Sequence, residues 1–339
     1  MQKKVLAKLP KCYSVAPLVY QGQPHFLVAA EKQDRCILFD AEGREKATIW
    51  GGPGGVMSMV QVPGTDGQFL ATHEFYSPND SARARIVLAQ PEGGGWSVRT
   101  IVDLPFVHRF DILKKGGRQY LIACTLKSAH AHKDDWGSPG KIYVAELPED
   151  LSPYGPGNQL PLMALKDGML KNHGYFRIAG DGGDAALVCS ENGVFRFTPP
   201  AAPGGAWQEE QLLDTPASDA ALIDLDGDGV QELVAMSPFH GDTLRIYKGG
   251  EAVYEYPEKL PFLHAIWAGT LRGRSTAVIG HRQGARRLLA FTYEGGAYRF
   301  RTLDDDRGPA NVYGCQIDGK DILVACNRET DEVAMYYDF

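Results

Sequence analysis

TAVIGHRQGARRLLAFTYEGGAYRFRTL (276–303) reads as three strands and two turns: an apolar run ending in a polar residue, a short Gly turn, a second apolar run, Glu-Gly-Gly, and a third alternating run. Apolar, β-branched and aromatic runs bounded by Gly pairs are strand and hairpin signals. The first of these runs has six relatives along the chain: FLVAAE (26–31), QFLATH (68–73), YLIACT (120–125), ALVCSE (186–191), ELVAMS (232–237) and ILVACN (322–327). Each is preceded by another apolar run and a Gly/Asp turn. Most are followed by a third strand and a Gly-rich hairpin into a fourth, as in RIVLAQPEGGGWSVRTIV (85–102).

The units start near Ser14, Met57, His108, His173, Asp219, His264 and Asn311. Their spacing fits a four-stranded propeller blade of about forty to fifty residues, the third unit being longer. The last unit stops after its third strand, EVAMYYDF (332–339), while KVLAKL (4–9) precedes the first full repeat. Pairing the two ends closes the ring and removes an open sheet edge. No long stretch carries 3.6-residue periodicity, so helices are not expected. The expected fold is all-β: a single seven-bladed β-propeller of four-stranded antiparallel blades over residues 1–339. Its blades fall at about 14–50, 54–104, 106–168, 172–215, 217–260, 262–306 and 307–339 plus 4–9.

Hydrophobic residues at 44% and charged residues at 23% suit a globular chain with a sizeable core, and 39 Gly with 21 Pro suit many short turns. The net charge of −7, with no Lys/Arg run, argues against a nucleic-acid surface. No apolar stretch has the length of a signal peptide or membrane span, so a cytoplasmic location is expected, or secretion if a leader is removed. The six cysteines show no C-x-x-C spacing and read as reduced thiols.

Within the fifth unit, DAALIDLDGDGVQELVAM (219–236) contains D-x-D-G-D-G-x-x-E and resembles the FG-GAP/VCBS propeller repeats. The resemblance implies a structural Ca²⁺ held by carboxylates of Asp224, Asp226, Asp228 and Glu232 and by the Val230 carbonyl, the oxygen-only ligation that this ion needs. The alternative is a tight Asp-Gly turn with solvated carboxylates. The corresponding turns elsewhere, PGTDG, KKGG, GDGGD and LRGR, are degenerate versions of the motif and are expected to bind nothing.

Residues that begin first strands and end second strands converge on one face of a propeller. The first column is Ser14, Met57, His108, His173, Asp219, His264 and Asn311; the second is Glu31, His73, Thr125, Glu191, Ser237, His281 and Asn327. Five of the nine histidines fall in them. His73, His108, His173, His264 and His281 are therefore the expected catalytic residues. Glu31, Arg109, Lys127, Trp136, Glu191, Arg282, Asn327 and Arg328 are the expected binding residues around a top funnel. Lys127 and Trp136 belong to a long insertion, KSAHAHKDDWGSPG (127–140). The blander reading makes the histidines hydrogen-bonded structural groups and lets the arginines pair with Glu31, Glu191 or Glu329.

The site composition is similar to that of propeller polysaccharide lyases and sugar dehydratases. That similarity implies a carbon–oxygen lyase acting on a small polar or carboxylated sugar or oligosaccharide, with a divalent metal in the funnel as one further expectation. The alternative is a non-catalytic glycan- or protein-binding module.

Overall fold

A computed structural model describes residues 1–339. Seven four-stranded antiparallel sheets follow one another along the chain, which forms no α-helix. The innermost strands are Cys12–Tyr20, Met59–Gln61, Val107–Lys115, Gly174–Ile178, Asp219–Ile223, Leu263–Leu271 and Pro309–Ile317. Each packs against the next and the last against the first, so the blades form a ring around a central channel. The molecule is a seven-bladed β-propeller.

The ring closes through the chain ends. Gln2–Lys8 pairs antiparallel with Glu332–Tyr337 as the outermost strand of blade 7, from Gln2↔Tyr337 to Lys8↔Glu332. Lys3 anchors the closure with ion pairs to Asp304 (2.7 Å) and Glu332 (2.6 Å).

The burial pattern explains why the second strands read as continuous apolar runs. Phe69–His73, Ala185–Ser190 and Glu232–Ser237 are buried at every position, because blades cover both of their faces. Outer strands such as Gln208–Leu213 are mostly exposed and polar. Seven hydrophobic clusters fill the spaces between adjacent blades, one for each interface. The stability of this fold therefore resides between its sheets, and the inner strands are left free to carry polar side chains.

Candidate functional site

Four inner strands open with a β-bulge. The ladder steps from Cys12↔Ala30 to Ser14↔Ala29, from Val107↔Thr125 to Arg109↔Cys124, from Leu263↔His281 to Ala265↔Gly280, and from Pro309↔Asn327 to Asn311↔Cys326. The extra residues are Tyr13, His108, His264 and Ala310. In blades 4 and 5 the same place, just before the ladder begins, is held by His173 and Ser218, whose N–H groups donate to the Cys189 and Met236 carbonyls. The equivalent positions are thus Tyr13, Met57, His108, His173, Ser218, His264 and Ala310. The sequence column sits one residue late in three blades, at Ser14, Asp219 and Asn311, although the bulge residues Tyr13, His108, His264 and Ala310 each stand nine positions before a turn glycine, Gly22, Gly117, Gly273 and Gly319.

This corrected column builds the site. His108 Nδ1 lies 3.2 Å from the His173 carbonyl, His173 Nδ1 lies 3.0 Å from that of Ser218, and His264 Nδ1 lies 2.7 Å from that of Ala310. A carbonyl only accepts, so each Nδ1 carries the proton and each Nε2 keeps its lone pair. Each histidine is thereby tied to the equivalent residue of the next blade. Burial holds all three well below the usual imidazole range; the Arg109 charge adds to this at His108, and the Arg282 charge at His264. They are neutral bases at neutral pH.

A fourth imidazole joins from outside the column. His240 follows the second strand of blade 5 in a left-handed conformation (φ 49°) and stacks against Phe239 and Phe262, with ring centres at 3.9 and 4.3 Å. Its Nε2 is 3.3 Å from His173 Nε2, and burial lowers its pKa to about 3. Ring nitrogens of His173, His240 and His264 all lie within 4.8 Å of one another. The Tyr13 hydroxyl stands 3.2 Å from His264 Nε2, and the His108 ring centre is 4.5 Å from that of His173. Sequence reasoning missed both His240 and Tyr13. The signal for His240 was its place in a second-to-third-strand turn, SPFHGD (237–242), on the same face as the columns.

His73 and His281 lie elsewhere. The His73 ring packs 4.6 Å from Trp50, between blades 1 and 2, with its buried Nε2 unpartnered. His281 ends the second strand of blade 6, paired with Leu263. The five histidines expected at one opening therefore divide into three that meet and two that do not.

Most of the expected binding residues have partners within the protein. Arg282 donates twice to Glu329 (2.8 and 2.7 Å) and lies 4.6 Å over the Phe262 ring. Arg328 bridges Glu329 and Glu31, so an ion-pair chain ties blades 6, 7 and 1 along the rim. Lys127 is buried, donates to the Asp135 carbonyl at 2.8 Å and sits 4.1 Å over Trp136; that ring meets Phe239 edge-on. Glu191 accepts the Phe239 N–H, steadying the His240 loop. Asn327 lies inside blade 7, donating to Glu332 and the Tyr336 hydroxyl.

Arg109 is different. It is buried beside His108 and gives one N–H to the Met57 carbonyl at 2.6 Å. Together with Ser14, Asp219 and Asn311 it lines a channel cavity of about 260 Å³ to which all seven inner strands contribute. The Asp219 carboxyl is pushed up to about 7 by burial, against the opposing pull of Arg109.

The acidic loop of blade 5 lies at the other end of its inner strand. Asp224 accepts the N–H groups of Gly227 and Gly229, and buried Glu232 accepts that of Leu225. Lys248, from the third strand, places its ammonium 2.6 Å from Asp226, 2.8 Å from Asp228 and 3.1 Å from Glu232. A calcium ion on these carboxylates would have to displace that ammonium.

Solved structures share the architecture. A streptogramin B lyase structure superposes with a TM-score of 0.60 at 15% identity, covering 99% of this chain and 98% of that one. BBS1N, from its complex with ARL6DN, superposes at 0.58 with 12% identity, covering 99% and 94%. At these identities the likeness is one of fold. No family model matches the chain. No curated protein matches it in sequence.

Proposed function

We propose that this propeller is an enzyme, a carbon–oxygen lyase or dehydratase for a small carboxylated sugar bound at the histidine group. The observation that carries the reading is the set of neutral imidazoles His108, His173 and His264, each fixed through Nδ1–H and each offering Nε2 as a base. A base whose tautomer is preset loses no time or energy in reorienting.

Arg109 supplies the anchor for the substrate carboxylate, since a guanidinium has five N–H donors and a buried one binds an anion with little competition from water. The bulge at His108 re-aims its side chain and sets base and anchor side by side. His108 Nε2 takes the proton next to the carboxylate. The electron pair left behind forms a carbon–carbon double bond as the bond to the β-oxygen breaks, and the Tyr13 hydroxyl gives its proton to the departing oxygen.

Hydrolysis by two carboxylates is less favoured, because Glu31 is engaged by Arg328 and Glu191 by the Phe239 backbone. One fold neighbour is itself a lyase, so the fold is compatible with this reaction class, and the likeness carries no more than that. Blade 5 keeps the FG-GAP/VCBS letter pattern, and we assign it to that repeat type. Six free cysteines, five of them buried, support a reducing, cytoplasmic setting.

The test is incubation with uronate-containing oligosaccharides and with aldonic and uronic acids, following absorbance of the new conjugated double bond and the mass of the products. Product formation that disappears in His108→Gln supports the reading. Binding of these sugars without conversion would make the protein a glycan-binding module and overturn it.

A further inference from the structure

We infer that His173, His240 and His264 form a three-imidazole site for a divalent first-row transition metal, with a fourth position left to water or substrate. The inference concerns the site described above but does not rest on the reaction proposed for it. Its first support is convergence: three nitrogen donors, from blade 4, the blade 5 loop and blade 6, lie within 4.8 Å of one another. The second is spacing. His173 Nε2 and His240 Nε2 are 3.3 Å apart, and two ligands at tetrahedral angles on an ion with bonds of about 2.05 Å are separated by about 3.3 Å.

The third support is the outer shell. Metal-binding histidines ordinarily donate the remaining ring N–H to a carbonyl or carboxylate, which fixes the tautomer and aims the lone pair. His173 and His264 do so to Ser218 and Ala310. Stacking against Phe239 and Phe262 orients His240 instead. No carboxylate belongs to the group, and an all-imidazole set selects transition ions over Ca²⁺ or Mg²⁺. The Tyr13 hydroxyl donates to His264 Nε2 at 3.2 Å, and a bound ion would take over that lone pair and release the hydroxyl.

The experiment is titration of chelator-treated full-length protein with Zn²⁺ by calorimetry and with Co²⁺ by visible absorption. One ion per chain is expected, with a Co²⁺ spectrum typical of nitrogen-ligated four- or five-coordinate metal. His240→Phe, which preserves the aromatic stack, should weaken binding by about a hundredfold or more, beyond the 10–100-fold loss typical of outer-shell changes. His264→Gln should weaken it similarly, with folding checked by circular dichroism. His73→Phe should leave it unchanged. No stoichiometric binding by the wild type, or binding undiminished in His240→Phe, would overturn the inference.

A separate observation carries a second inference: the Lys248 ammonium takes the place of the calcium ion expected in the blade 5 loop. An ammonium has three donors, and here they meet three carboxylates, one of which, Glu232, is fully buried and needs a cation. Wild-type melting should be the same in excess chelator and in millimolar Ca²⁺, whereas Lys248→Met should melt lower in chelator and recover in Ca²⁺. A wild-type melting point that falls on chelation overturns this inference, as does a Lys248→Met variant of undiminished stability in chelator.

Discussion

His264 and Ala310 hold the same bulge position in blades 6 and 7, and the histidine hands its Nδ1–H to the alanine carbonyl at 2.7 Å. His108 and His173 repeat the contact into the blades that follow them. One hydrogen bond thus joins two blades and also fixes which ring nitrogen is basic. His264→Phe should cost about 1–3 kcal/mol, because it leaves a buried carbonyl without a donor. His73→Phe should be neutral or stabilising, since the His73 Nε2 it removes is buried and unpartnered. Urea unfolding of the two variants checks the contrast. Equal losses would mean that the interblade bond contributes little.

Removing residues 1–8 should lower the melting temperature and cause concentration-dependent association. The deletion bares the edge of Glu332–Tyr337 and breaks both Lys3 ion pairs. Light scattering across a dilution series, with thermal unfolding, is the measurement. A monomeric truncation with wild-type stability would show that the terminal strand is dispensable.

The strands and this ring closure were legible because second strands buried on both faces must be apolar throughout, so the repeat stands out seven times. The histidine column was legible for the same reason, but only to within one residue. In blades 1 and 7 a polar residue, Ser14 or Asn311, follows the bulge residue Tyr13 or Ala310, and the letters alone do not show which of the two neighbours the ladder leaves out. His240 was legible only as a histidine in a turn on the right face: its inward aim depends on a left-handed backbone and on Phe262, which comes from the approach to the next blade. Lys248 escaped too, because a loop motif does not show which side chain of a neighbouring strand reaches into it.

Asp219 gives a pH signature. Its carboxyl titrates near 7 in the folded channel, chiefly through burial, against 3.8 when exposed. A raised folded pKa means that the folded state holds its proton longer, so the contribution to stability is full below pH 3.8 and is lost as pH rises toward 7. Asp219→Asn cannot ionise. It should therefore melt higher than wild type at pH 8 and about the same at pH 4. A difference that does not change with pH would mean that Asp219 is already ionised in the folded protein throughout.

Substrate binding should separate the two arginines. Arg109→Gln should raise KM for a carboxylated substrate about tenfold to a hundredfold, since a hydrogen bond to a charged group contributes about 1.5–3 kcal/mol. Arg282→Gln should barely change KM, because Glu329 already occupies its guanidinium, although melting should fall slightly. Steady-state kinetics on both variants decides; the reverse order would move the carboxylate site to the rim.

The histidine group as a metal-holding reaction centre is tested most directly by anomalous diffraction from crystals of the full chain grown with zinc. The account predicts one strong peak among the Nε2 atoms of His173, His240 and His264. No peak there in well-ordered density, or a peak only at Asp224–Glu232, would contradict it.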